Sequence, residues 1–417
     1  MKHGRNCSKY LLAFFALFII FSDEMFLSYI SLRGISMESG MKSAMALGIA
    51  AVGYFCIFRD FIKKKYCKRN GREFLVLCVI LMLYLLTSLF YQPSSHDYWA
   101  QLLVFGSLCI PACYIGMRLA REDYFAEMME VLPFFVTITA FFVSRAAIFA
   151  SMQGVLLGKG DDEVAFNYQN ASYFLAFSYA YSFFYVFYYK TEQKRMFNRF
   201  CHLLMFVLIF VCAAGCLVSG GRGAFVYMIL ITGYMFCKLI RRRGRGRAKY
   251  YVALVIGVIG SIYFANKFGL FDTAGFSRIR GSFMADESRE ELWKKAITAF
   301  VKSPLFGNGL GSVWWTVGYR SHNFLTDLLC EAGALGSFVA LFILFTGLCR
   351  LIKWSKTSVF DFFLLVVMLG SLVNDMFSGY WISSYKMFLV LGYVYANKRA
   401  KTTRALRSGP VVVLCNS

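Results

Sequence analysis

Proline is scarce in this chain, at five in 417 residues, and so is charge, at 16% of residues against about 25% in a soluble chain. Acidic residues are scarcer still, with 23 Asp and Glu facing 45 Lys and Arg, and there are only four His. Too little charge to cover two or three globular domains excludes the soluble architecture that this length would otherwise suggest. Few prolines leave long helices uninterrupted. What is abundant is apolar: 59% of residues are hydrophobic and 18% aromatic, with a mean hydropathy of +0.56. Apolar runs repeatedly approach ~20 residues, enough to cross a bilayer as a helix. The expected class is an all-α, multi-pass membrane protein.

Thirteen cysteines do not form a disulfide framework, because most lie inside apolar runs where a thiol acts as a small hydrophobe. Cys109/Cys113 and Cys212/Cys216 are spaced four apart, but no His or carboxylate matches that spacing, so they read as packing rather than a metal site.

Apolar runs and their flanks predict twelve crossings, at about 10–31, 42–59, 73–91, 98–117, 128–149, 171–189, 200–218, 224–240, 250–267, 333–352, 358–378 and 383–397. The first is interrupted by Ser22, Asp23 and Glu24, and no small-residue cleavage site follows it, so it reads as an anchor rather than a signal peptide. Charge then orients the set. Basic clusters at Lys63–Arg72, Lys190–Arg199, Arg241–Lys249 (RRRGRGRAK), Arg350–Lys356 and Lys398–Arg407 all fall on one side. The short opposite connections YQPSSHD (91–97) and FSGYWISS (377–384) carry no Lys or Arg. By the positive-inside rule both termini face the cytoplasm. The net charge of +22 is thereby a matter of orientation, with some attraction to anionic lipid, and a nucleic-acid partner is not expected.

The sequence thus divides into helices 1–9 (1–267), a long external loop (268–332), helices 10–12 (333–397) and a cytoplasmic tail (398–417). A loop that long is functional or disordered, and Trp293, Trp314, Trp315 and helical apolar spacing argue for order. In DESREELWKKAITAFVKSP, Ser288 and Glu291 form a capping box, which places Arg289 at the first helical position. A cation there opposes the dipole but is well placed to grip an anion beside free amides; a solvated surface Arg is the alternative. GNGLG (307–311) could suggest a phosphate loop, yet it follows no strand, and a tight turn back toward the membrane fits better. In RSHNFLTDLLCEAGALG, Ser321 or Asn323 can cap a helix that dips into the membrane, so His322 sits at a helix N-terminus. The dipole there disfavours imidazolium, leaving a ring able to accept a proton, or one that merely bonds the helix end. SGGRGAF (219–225) places Arg222 at another outward helix start after a glycine turn, where an isolated Arg could also simply snorkel. Two Arg and a His in such settings describe a pocket for a dianionic headgroup beside a base, with Arg278 and Arg280 of FSRIRGSF adding charge. The carboxylates of Asp161, Asp162 and Glu163 read as hydrated rather than as metal ligands.

SGGRGA, one further crossing, a long external loop with PLFGNGLG, and then SHNFLTDLLCEAGALG closely resemble the O-antigen ligase and Wzy-type polymerase superfamily, over about 219–340. NYQNAS (167–172), with Tyr168 and Gln169, is similar to a loop-to-helix segment of some polymerases. Gly220 and Gly221 depart from the serine-rich form of the arginine motif. The resemblance implies an inverting membrane glycosyltransferase with no cofactor or metal, whose donor is an oligosaccharide on undecaprenyl diphosphate and whose acceptor is a glycan, lipid or protein terminus. Arg222 and Arg289 would hold the diphosphate and stabilise its departing charge. His322 would activate the acceptor hydroxyl, supported by Asn323 and Glu331. A chain-length regulator or a flippase is an expected partner. A twelve-helix transporter would instead show two related halves and ionisable groups at mid-membrane, and no internal repeat is seen. A non-catalytic scaffold would tolerate substitution of Arg222 and His322.

Overall fold

The computed structural model describes residues 2–21, 39–62, 105–121, 124–152, 168–189, 196–242, 266–267, 269–280, 287–318 and 320–397, with single positions at 76 and 263. Over these it is all-helical, with no strand among the described residues. The helices are α1 (Lys2–Ile20), α2 (Ser39–Ile62), α3 (Ile110–Leu119), α4 (Phe125–Met152), α5 (Tyr168–Tyr188), α6 (Met196–Ser219), α7 (Arg222–Arg242), α8 (Ala274–Arg280), α9 (Glu287–Lys302), α10 (Val313–Thr316), α11 (Phe324–Ser355), α12 (Val359–Phe377) and α13 (Tyr385–Ala396).

Five of them are long and apolar enough to cross a membrane: Phe125–Ser151, Phe197–Ser219, Arg222–Arg241, Phe324–Ser355 and Val359–Phe377. Each coincides with a crossing expected from the sequence. Within the described part of the predicted 98–117, a π-helical turn, Phe105–Cys109, leads into α3, which has Pro111 in its first turn, where the missing N–H costs nothing. The crossings at 73–91 and 250–267 lie outside the described residues, except for 76, 263 and 266–267, as do 22–31 of the first and the tail.

The chain forms two compact units. One holds Met1–Ile20, Glu38–Met128 and Met284–Val412; the other holds Phe21–Met37, Met129–Phe283 and Val413–Ser417. In the first, small residues let backbones touch. A Cβ on Gly116 of α3 would lie 1.8 Å from the Leu389 carbonyl of α13, and one on Gly392 of α13 would lie 2.1 Å from that of Cys113. Such contacts substitute for the hydrophobic drive that lipid cannot supply between helices. In the second, α5 is apolar all round and buried from Ala171 to Tyr185, as expected of a helix surrounded by others.

α11 is two helices joined at Gly333, whose φ of 62° and ψ of −170° break the run. The expected crossing at 333–352 begins at this break. A break orphans backbone groups on both sides, and the glycine loop before α10 satisfies them. Asn308 and Gly309 donate their N–H groups to the carbonyls of Cys330 and Glu331, both at 3.0 Å. Ala334 and Leu335 donate to those of Pro304 and Leu305, at 2.8 and 3.1 Å. The Asn308 amide adds bonds to the carbonyls of Ala299 and Cys330, each 2.9 Å. GNGLG is therefore a plug for a helix break rather than a phosphate cradle. Gly307 has φ +73°, and a Cβ there would lie 2.3 Å from the Glu331 carbonyl. We predict that Gly307→Ala lowers the thermal unfolding midpoint in detergent. Left-handed strain alone costs about 1–3 kcal/mol, so an unchanged midpoint would contradict the close fit.

Candidate functional site

In the first unit the site grows from α9 and the start of α11. α9 begins at Glu287, earlier than the capping box predicts, so Arg289 is the third helical residue rather than the first. It remains in the first turn, where N–H groups lack helical partners. Glu290 and Glu291 pair with Lys294 and Lys295, each at 2.7 Å, and these hydrogen bonds hold both carboxyls below their ordinary range. Trp293 lies one turn beyond Arg289 on the same face and donates its indole N–H to the Ser321 carbonyl at 2.9 Å. That bond brings the helix carrying Arg289 to the segment carrying His322.

The choice between Ser321 and Asn323 as cap falls to Asn323. Its Oδ1 accepts from the amides of Leu325 and Thr326, at 3.0 and 3.3 Å, as a cap should. Ser321 is tied down separately. Its N–H donates to Asp327 Oδ1 at 2.9 Å, and its hydroxyl bonds that of Thr326 at 2.5 Å. Between these two fixed residues, His322 adopts φ +57°, unique among the described non-glycine residues in being positive. A left-handed non-glycine residue costs on the order of 1–3 kcal/mol and persists only where its surroundings over-determine it. Here the bonds on Ser321 and Asn323 do so, and they set the half-buried imidazole just before the α11 N-terminus.

Glu331, named with Asn323 as support for His322, is 1% exposed. It accepts from Tyr380 Oη–H at 2.5 Å and Trp381 Nε1–H at 2.9 Å. Trp314 packs edge-on against Tyr380. The bare connection FSGYWISS is thus the partner that carries Glu331. Cys330 is buried, with its Sγ 3.5 Å from Thr316 Oγ1.

In the second unit, Gly220 and Gly221 make a two-residue turn between α6 and α7, and Arg222 is the first residue of α7. Gly220 takes φ +78°, and a Cβ there would lie 2.7 Å from the Gly275 Cα at the start of α8. Ser172 of NYQNAS accepts the Gly221 N–H at 2.8 Å, so two motifs 49 residues apart meet. Ser172 also donates to the Tyr168 carbonyl at 2.9 Å, and Gln169 Nε2 donates to Tyr168 Oη at 3.0 Å. Arg278 and Arg280 fall on α8, which packs on this turn, but their side chains lie outside the described ones. The acidic loop 161–163 also lies outside the described residues. Among those described, no three His, Cys, Asp or Glu gather as metal ligands.

Asp327, Ser172 and the Tyr380–Trp381 pair were not singled out from the sequence, and Trp293 was read there only as a sign of order. Only Asp327 leaves a local sign, six residues after Ser321 on a new helix turn. The others act across long separations that no spacing rule exposes. No curated protein and no solved structure matches the chain. Residues 204–341 match the family model Wzy_C, described as O-antigen ligase. This segment contains the SGGRGA turn, Arg289, the break-filling glycine loop and His322, and over it the chain is similar to the O-antigen ligase family.

Proposed function

We propose that this membrane protein transfers a glycan from undecaprenyl diphosphate to the end of a growing surface polysaccharide, at the outer face of the bacterial plasma membrane and with both termini in the cytoplasm. The acceptor hydroxyl oxygen attacks the anomeric carbon as the bond from that carbon to the diphosphate oxygen breaks. The hydroxyl proton passes to His322, and undecaprenyl diphosphate departs with the bonding electrons. One displacement inverts the anomeric centre. Arg222 and Arg289 meet the charge that develops on the leaving diphosphate. The diphosphate is already a good leaving group, so positioning and electrostatics supply the catalysis.

The observation that carries this reading is the strained His322, locked between Ser321 and Asn323 and tied through Trp293 to the helix of Arg289. Such strain costs stability and persists at places where geometry matters to function. The description of the matched family favours a second reading, ligation of the glycan to a lipid or protein acceptor.

One experiment tests chemistry and orientation together. Right-side-out membrane vesicles containing the protein are given a lipid-diphosphate oligosaccharide donor from outside. Consumption with a ladder of lipid-linked products supports polymerisation, and a single conjugate to another acceptor supports ligation. Consumption only in inside-out vesicles would reverse the assigned sidedness. No consumption in either preparation would refute the transferase.

A further inference from the structure

We infer that α9 and the turn after it form an interfacial membrane anchor, with Ile297, Val301, Leu305 and Phe306 seated in the lipid leaflet from which α11 descends. All four are exposed, Phe306 at 75% and Val301 at 66%, although α9 lies outside every membrane-spanning candidate. On the helix, Ile297 and Val301 are one turn apart and extend the apolar arc whose other half, Ala296 and Ala299, is buried. Half of that arc packs on protein and half faces outward.

The second half of α11 identifies what covers it. Leu335, Phe338, Val339, Phe342, Phe345 and Ile352 form one exposed apolar stripe, as on a helix that faces lipid. From Leu335 to Ile352 the helix rises about 26 Å at ~1.5 Å per residue, close to the ~30 Å hydrocarbon thickness. The stripe therefore starts at one boundary of the hydrocarbon. Leu335 is also the residue whose N–H bonds the Leu305 carbonyl, which fixes Leu305 and Phe306 at that boundary, continuous with the stripe. Apolar residues at this depth meet acyl chains, and the exposed Lys302 beside Val301 suits anionic headgroups. The consequence for Arg289, which rests on the transferase reading, is that an anchored α9 holds its guanidinium near the depth of a lipid diphosphate.

The test places a photo-cross-linking benzoylphenylalanine at Phe306 in the full chain, in vesicles of phosphatidylethanolamine and phosphatidylglycerol, with the same replacement at Lys295 on the polar face as control. Phe306 packs on little, so its replacement leaves the fold intact, and Val301 provides a second position. Illumination is expected to give phospholipid adducts at 306 and 301 and to lose them at 295. No lipid adduct at either apolar position, equal labelling at 295, or an adduct to a second polypeptide would each overturn the anchor. Adducts are read by mass without any glycan transfer. A negative result therefore removes the anchor and leaves the transferase reading standing, while retained adducts with no transfer activity do the reverse.

Discussion

Replacing Arg222 or Arg289 by Ala is expected to abolish glycan transfer while the protein still reaches the membrane at normal levels. Each guanidinium offers a planar fork of donors to the non-bridging oxygens of a diphosphate, and each sits in the first turn of a helix, where amide dipoles favour an anion. Removing one such donor from a developing oxyanion typically costs about 10²–10³-fold in rate. Loss of a whole charge beside a departing diphosphate should reach at least that. Arg→Lys keeps the charge but not the fork, so both Lys variants should be severely impaired rather than silent. The two positions differ in what else they could disturb. Arg222 follows the Gly220–Gly221 turn, which Ser172 also holds, so thermal unfolding should be measured beside activity. Full activity in Arg289→Ala would reduce that residue to a solvated charge on a surface helix.

His322→Ala should lose about 10²–10⁴-fold, the usual contribution of general-base assistance, while donor binding persists. His322→Gln separates two roles, because Gln can hydrogen-bond a hydroxyl but cannot carry its proton away. If Gln fails as badly as Ala with donor still bound, proton transfer is supported. If Gln retains most activity, the ring only orients the acceptor. Lost donor binding in both variants would move His322 into the group that holds the diphosphate. The backbone supplies a further control. His322→Gly relieves the left-handed strain at φ +57°, which Ala retains, so it should lose activity like Ala while unfolding at a higher midpoint than the Ala variant. Glu331, named with Asn323 as support for His322, has Tyr380 and Trp381 donating to it. That makes it first a pin between α11 and the 377–384 connection, buried at 1% exposure.

Sequence reasoning reached the fold class and the proposed chemistry through local signals. The shortage of charge and proline, with apolar runs of bilayer length, established an all-helical membrane chain, because only a helix satisfies its own backbone in lipid. Glycine pairs marked the turn before Arg222, and Asn323 was one of two named candidates for the cap it proves to be. Each of these depends on a few neighbouring residues, so spacing exposes it. Contacts between distant segments did not show in the sequence. Nothing within SHNFLTDLLCEAGALG reveals that Gly333 breaks the helix there, nor that GNGLG closes the break through backbone bonds, which carry no side-chain signature. The Ser288 capping box misplaced the start of α9 because Glu287 already adopts helical geometry, and helix ends shift by a residue or two under local competition. The left-handed His322 belongs to the same class. Its conformation is imposed by Trp293, Asp327 and the Asn323 cap acting from three sides. Strain of that kind exists only once tertiary contacts are present to oppose it.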